Sequence, residues 1–502
     1  MDLPLIDLIV FLIYMLVIIL FGISFSFKKR TSEDYITGGG RLPSWAIGMS
    51  IFATFVSSIS FLALPGNAYL SNWNGFVFSL SIPLAAVIAV VYFVPLYRKM
   101  KSESAYYYLE TRFGLWARIY ASIFYLLTQM ARMGAIMYLL ALPMNVLFGW
   151  SIPLIIIVTG LSVIVYAMLG GIEAVVWTDA VQGIILIVGA IVSVLVILFS
   201  MPEGPAQVFT IASEANKFSL GSFDFNFVES TFWLILVYGL FINLQNFGID
   251  QSYIQRYLSA KTEKEAISST LFGSFLYIPV SLMFFFIGTA LFSYYQAMPE
   301  LLPEDLRGME NSDKIFPHFI VTALPTGVTG LLIASIFAAG MSTISTSINS
   351  SATIILTDHY KRYINKNTSQ KTAMRVLFIS SFLMGGIGIL VGLALNGVTS
   401  ALDAWWALAS IFSGGILGLF LLGFISKKIK STYAAIGVMF GVLVISWASL
   451  SPIFFKGAFL IYASEFHANL TVVLGTITIL LVGFILTFLF SNKKAKSAND
   501  VF

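Results

Sequence analysis

A chain of 502 residues that is 58% hydrophobic and 10% charged carries far fewer than the roughly 25% charged residues of soluble globular proteins, so lipid rather than water must solvate most of its surface. The net charge of +4 comes from short basic runs at the ends of apolar stretches, which excludes a nucleic-acid footprint. With no cysteine, disulfides, thiolate metal sites and cysteine nucleophiles are excluded as well.

Apolar runs of about 20 residues recur along the chain, each long enough to cross a hydrocarbon core roughly 30 Å thick. They lack the apolar–polar alternation of barrel strands, so an all-α integral membrane protein is expected. Thirteen helices are predicted, near 5–27, 45–69, 75–97, 116–148, 152–170, 174–200, 231–250, 267–295, 327–357, 373–396, 402–425, 432–452 and 469–490. The first has its positive cluster, Lys28, Lys29 and Arg30, after the apolar run and no small-residue cleavage pattern, so it reads as a retained helix, not a signal peptide. Lysine and arginine gather on the cytoplasmic side of membrane proteins. With the N-terminus outside and the C-terminus inside, Lys217, Arg307, Lys314 and Lys456 face outward, Arg132 lies within the membrane, and the other 23 of the 28 basic residues face inward. No soluble domain interrupts the spans, and one transmembrane domain fills the chain.

Polar residues inside a bilayer are costly and are functional candidates by default. The second span carries Ala53-Thr54-Phe55-Val56-Ser57-Ser58-Ile59-Ser60; Ser57 and Ser60 share a helix face, as a binding pocket or a small-residue packing seam would require. In the fourth span Arg132 stands 14 residues beyond Arg118, roughly 21 Å along the helix, too deep to snorkel easily to the surface. No acid in the neighbouring spans presents itself as its mate, and the planar guanidinium suits a substrate carboxylate. Gly170-Gly171 makes a turn between the fifth and sixth spans and places Asp179 about one turn inside the sixth, either as a hydrated carboxylate or as a ligand for a hard cation. Asn243, Gln245 and Asn246 give the seventh span a polar break. In the ninth, Ser342, Ser345 and Thr346 fall within one arc and line a helix side with oxygens, beside Ala339 and Thr343. His318, His359 and His467 lie at or outside span ends, so neither a buried general base nor a histidine metal site is expected. Neither a P-loop nor a nucleophile motif is present, and the chain reads as no enzyme.

These clusters, in this order, resemble the sodium:solute symporter family from about Ser32 to the end of the last span. The most specific signals are Gly170-Gly171 through Trp177-Thr178-Asp179 and Gln182, the Ala338–Asn349 block, and Gly38-Gly39-Gly40-Arg41 with Trp45 and Phe52-Ala53-Thr54. Within the family, Ser57-Ser58-Ile59-Ser60-Phe61 and Ala131-Arg132-Met133 look most like the bacterial sialic-acid symporters. The resemblance implies a fold like that of the leucine transporter. An extra helix (1–30) precedes one five-helix repeat (45–200) and its inverted partner (231–425), and two helices (432–490) and a cytoplasmic tail (491–502) follow.

The resemblance further implies a shared sodium site from the carbonyls of Ala53, Val56 and Ala339 with the hydroxyls of Ser342 and Thr343, and a second from Asp179, Ser342, Ser345 and Thr346. Thr343 and Thr346 stand where the family usually has serine, so each keeps its hydroxyl. The substrate carboxylate would meet Arg132, with Ser57, Ser60 and Asn243 nearby; Phe55 and Ser79 depart from the residues that sialic-acid relatives can carry. The expected activity is import of sialic acid (N-acetylneuraminate) with sodium as the co-transported ion, by a monomer in a bacterial plasma membrane. A symporter of the same family for proline, another carboxylate or a sugar is the alternative. A channel is a second class, separable because it cannot concentrate its solute.

Overall fold

The computed structural model describes residues 4–27, 30–100, 102–308, 312–396, 414–455 and 457–491. Among the described residues the chain is helical, with a lone parallel bridge between Leu42 and Ala260. Among the described residues ten helices are long and apolar enough to cross a membrane, or eleven if the bent pair counts as one span. Leu5, Ile13, Leu84, Val91, Ile379 and Phe488 are each more than half exposed, as side chains that face lipid must be. The expected span 402–425 is described only from Gly414 to Ile425. Lys28, Lys29, Lys101, Glu310, Lys456 and the tail beyond 491 lie outside the described residues.

The first helix, α1 (Leu5–Ser24), buries Asp7, Phe11, Met15, Ile18 and Gly22, a spacing of three and four that marks one face. After the short α2 (Ser32–Thr37), capped reciprocally by Thr31 and Asp34, the expected second span divides into α3 (Ser44–Phe55) and α4 (Ser58–Leu70). These two meet at 53°. The cause is local: Val56 and Ser57 are extended, and Ser57 caps α4 through a reciprocal box with Ser60. The span drawn as one helix over 45–69 is therefore two.

Next come α5 (Trp73–Lys99), the short α6 (Tyr107–Phe113) and α7 (Leu115–Phe148), which carries Arg132. The 48 residues of α8 (Ile152–Phe199) would rise about 72 Å, more than twice the hydrocarbon thickness. Gly171 interrupts them with φ 61° and ψ −163°, backbone that favours glycine. An added Cβ there would also lie 2.8 Å from the Tyr35 ring. The predicted spans 152–170 and 174–200 meet at this residue.

Beyond α9 (Ala206–Glu214), the seventh span ends at Ile249 as α10 (Phe232–Ile249), and the chain restarts as α11 (Gln251–Ser259), with Asp250 the extended residue between them. Asp250 caps α11, its Oδ1 accepting from the Ser252 amide at 2.8 Å, where a carboxylate also complements the helix dipole. Then follow α12 (Glu263–Ala297), α13 (Ser312–Thr322) and α14 (Val328–Ile354), which runs on as π-helix to Ile364. The most apolar stretch of α14 is 89% buried, which makes it the central pillar despite its hydroxyls. Asp7 of α1 fastens to its start, Oδ1 accepting the amides of Gly327 at 2.6 Å and Gly330 at 2.8 Å. Gly330 permits the approach, since a Cβ would come within 2.5 Å of the Asp7 carbonyl. The helices α15 (Gln370–Ala394), α16 (Gly414–Ile425), α17 (Ser431–Phe454) and α18 (Leu470–Ser491) complete the bundle.

Candidate functional site

In a continuous helix the Ser57 amide would serve the carbonyl of Ala53, and the Ser60 amide that of Val56. Here the Ser57 amide turns to Ser60 Oγ and the Ser60 amide to Ser57 Oγ, each at 3.4 Å. The break thus releases carbonyls at the end of α3 in the middle of an apolar stretch. Ser342 on α14 meets one of them: its Oγ lies 3.1 Å from the Ala53 carbonyl and 3.1 Å from that of Ala339. Thr343 Oγ1 is 3.2 Å from the same Ala339 carbonyl. Two hydroxyls and two carbonyls thus gather at the break, neutral oxygens of the kind a hard cation binds. Ala53, Ala339, Ser342 and Thr343 are in contact, and Val56 is buried at the end of α3.

Arg132 reaches both interrupted spans. Its Nη2 donates to the Thr54 carbonyl at 3.4 Å, and its Nη1 lies 3.9 Å from Asp250 Oδ2. The expectation that no acid faces it is corrected: Asp250 is the partner, hidden from sequence because it is the last residue of the expected span 231–250, where an acid looks interfacial. The pair is loose, and the Arg132 side chain keeps 19% of its surface exposed. A guanidinium held at 3.9 Å and partly accessible retains donors for a second carboxylate.

Aromatic side chains wall this region. Phe55 lies 4.4 Å from Tyr277 and 5.7 Å from Phe247, ring centre to centre, with Tyr253 at 6.5 Å. Ser57 and Ser60 stand at the break, their hydroxyls engaged in capping, and the Tyr277 hydroxyl neighbours Ser60 and Ser281. Asn243 turns towards α5, donating to Ser81 Oγ at 2.9 Å and to the Phe78 carbonyl at 3.4 Å. Its buried Oδ1 has no partner.

The second expected ion cluster is already crossed by a cation. Asp179 is fully buried and its Oδ2 accepts from Arg256 Nη2 at 2.8 Å and from Ser50 Oγ at 2.6 Å. The same Nη2 donates to Thr346 Oγ1 at 2.7 Å, and Nε to Ser50 Oγ at 2.7 Å. Asp179 is thus no hydrated interfacial carboxylate and no isolated ligand; it is half of a buried ion pair. Arg256 was missed because it follows the apolar run by seven residues and precedes Lys261 and Lys264, which made it look like one more inner-loop charge. Ser345 Oγ donates to the Ser342 carbonyl at 3.0 Å and lies beside Tyr166. Among the described residues no group of three or more histidine, aspartate or glutamate side chains gathers. The clusters therefore suit a monovalent ion better than a divalent one, which calls for more carboxylate charge.

The model of the sodium:solute symporter family matches residues 35–441. The chain is 34% identical over 491 residues to the sodium/sialic acid symporter SiaT of Proteus mirabilis, covering 97% of this chain and 96% of that one. It is 32% identical over 486 residues to the sodium/sialic acid symporter NanT of Aliivibrio fischeri, covering 95% and 92%. Among solved structures, a Na+-coupled sialic acid symporter in a substrate-bound outward-open state superimposes with a TM-score of 0.89 at 32% identity, covering 97% of this chain and 99% of that one. A nucleobase-cation-symport-1 family transporter superimposes at 0.54 with 14% identity over 91% and 94%, a likeness of fold alone.

Proposed function

The chain belongs to the sodium:solute symporter family, with sodium as its coupling ion, and from that premise we propose that it imports sialic acid (N-acetylneuraminate) across a bacterial plasma membrane by alternating access. The observation that carries this reading is Arg132, an accessible guanidinium deep in the bundle that touches both interrupted helices at once. The relatives named for sodium and sialic acid match almost the whole chain, which supports the choice of solute.

In this reading sodium binds first, among the carbonyls of Ala53, Val56 and Ala339 and the hydroxyls of Ser342 and Thr343. It ties the end of α3 to α14 and fixes the break. The solute carboxylate then pairs with Arg132, with Ser57, Ser60 and Asn243 nearby, and solute and ions leave inward chemically unchanged. Sodium and solute must strengthen each other's binding by one factor. A second sodium at Asp179, Ser342, Ser345 and Thr346 has an energetic rationale. A tenfold gradient supplies about 1.4 kcal/mol per ion, and one net charge adds about 2.3 kcal/mol per 100 mV. Two sodium ions with a monoanion therefore provide roughly 5 kcal/mol, whereas one ion with the same anion is electroneutral and gives about tenfold accumulation.

The proposed architecture has thirteen spans. One helix (1–30) precedes two inverted five-helix repeats, 45–200 and 231–425, and two helices (432–490) and an inner tail (491–502) follow, with the N-terminus outside and the unit a monomer. The breaks at Val56–Ser57 and at Asp250 support the repeat, because each falls in the first helix of its half and Arg132 reaches both. Purified protein in proteoliposomes should accumulate labelled N-acetylneuraminate against its gradient when sodium is outside, and not when potassium replaces it. Equal uptake in both salts, or no competition by unlabelled sialic acid, would refute the proposal.

A further inference from the structure

The Gly38-Gly39-Gly40-Arg41 loop helps to enclose a cavity of about 400 Å³, whose walls include Arg30, Asp34, Arg41, Glu173 and Trp177. The three glycines have φ of 62°, 64° and 60°, backbone that turns Arg41 back so that Nη2 meets Asp34 Oδ1 at 3.1 Å. A Cβ on Gly39 would lie 2.7 Å from that oxygen. The Arg41 side chain stays 74% exposed, so its fork is open to a further ligand. Arg30 is fixed on another wall, Nη2 donating to the Leu169 carbonyl at 2.5 Å and Nη1 to that of Gly170, just before the kink at Gly171. The position of the cavity follows from α8. Glu173, Trp177, Val181, Ile184 and Val188 succeed one another at spacings of three and four and so share a helix face. Val181, Ile184 and Val188 are exposed, which sets that face against lipid tails. Trp177 comes one turn nearer the helix break, edge-on to the half-exposed Trp45 with ring centres 5.5 Å apart, and tryptophans in such a place mark the level of the headgroups. Glu173 is one turn further out. The cavity therefore opens where phospholipid headgroups lie.

Charge selects the lipid. Sites for anionic headgroups are basic clusters, whereas the described residues of this cavity supply two arginines and two carboxylates. A headgroup bearing a phosphate alone would set its charge beside both acids. One that also carries a primary amine matches both signs. We propose that this cavity binds the headgroup of an amine-bearing phospholipid, its phosphate on the guanidinium of Arg41 with Arg30 behind, and its ammonium on Glu173. A planar guanidinium takes phosphate through two parallel bonds, and an ammonium brings three donors to carboxylate oxygens. The acyl chains run down the face of Val181, Ile184 and Val188. One residue past Arg41, the Leu42 amide donates to the Ser259 carbonyl at 3.2 Å, so the headgroup bears on the loop that holds the end of α11.

Native mass spectrometry of the purified full-length protein, titrated with single phospholipids of matched acyl chains, tests this. Phosphatidylethanolamine should bind its tightest site at least fivefold more strongly than phosphatidylcholine, whose quaternary amine has no N–H. It should exceed phosphatidylglycerol, which has no amine, by a similar factor. Glu173→Gln leaves the arginines in excess, so it should abolish that preference and tilt it towards phosphatidylglycerol. Arg41→Gln should weaken all three lipids at least threefold. Glycerophosphoethanolamine, the same headgroup without chains, should compete at least tenfold more weakly than the lipid; equal competition would assign the cavity to a soluble phosphate ester and overturn the lipid. Equal binding of the three lipids by the wild type, a wild-type preference for phosphatidylglycerol, or a phosphatidylethanolamine preference that survives Glu173→Gln also overturns the assignment. The wild-type comparison stands whether or not the variants fold.

Discussion

Arg132 lies between a carbonyl of one interrupted helix and a carboxylate that caps another, so its charge is held without being fully used. At 3.9 Å, an ion pair in a medium of effective dielectric near 20 is worth about 4 kcal/mol before desolvation, enough to hold the side chain and not enough to bar a second anion. A lysine keeps the charge but loses the planar fork that binds a carboxylate through two parallel bonds. Arg132→Lys should therefore raise the solute KM at least tenfold while the sodium concentration for half-maximal uptake changes little. Direct solute-binding titrations at fixed sodium check this, and unchanged affinity would remove the carboxylate from Arg132. The importance of Arg132 was legible because a lone arginine in an apolar run has no bland explanation. Asp250 was not, since an acid at a span boundary looks the same whether it meets water or a guanidinium.

At the scale of elements, α11 is the second half of an interrupted span whose first half is α10, and it is stapled to its neighbours. Arg256 binds Asp179 of α8, Ser50 of α3 and Thr346 of α14, while Gln255 donates to Thr353 Oγ1 at 2.8 Å. Removing one partner of a buried pair costs about 3–5 kcal/mol because the other charge is stranded. Arg256→Gln should lower the melting temperature, and Asp179→Asn added to it should recover much of the loss, a coupling that a double-mutant cycle measures. With the staple cut, a cysteine placed at the fully buried Ser259 should react several-fold faster with a thiol reagent from the inner side; an unchanged rate would show that Arg256 does not hold α11. The spans themselves were legible, since about 20 apolar residues leave little choice in lipid, and so was the oxygen-rich face of α14. The positions of the breaks were not. Hydrophobicity continues through Val56, and in the seventh span the polar Asn243, Gln245 and Asn246 stay helical while the interruption falls later, at Asp250; where it falls is decided by which hydroxyl or carboxylate caps the next helix, a competition of a kcal/mol or so that no periodicity records.

For the molecule as a whole, the orientation rests on where the basic residues fall, and the cysteine-free sequence makes it directly measurable. A single cysteine at the exposed Glu203 should be labelled by a membrane-impermeant maleimide in intact cells. One at the exposed Lys366 should be labelled only after permeabilisation; the reverse pattern would invert the topology. The carboxylate of Asp7 bears on a different matter, the order in which the chain is made. Its two amide partners are encoded 320 and 323 residues later, so at about 5–20 residues per second the first helix leaves the ribosome many seconds before they exist. Through that interval a bare acid must wait at the bilayer's edge or in the keeping of the insertion machinery. The nascent helix can pack on α8 as soon as that helix is made, but its Asp7 end is fastened only when the start of α14 arrives.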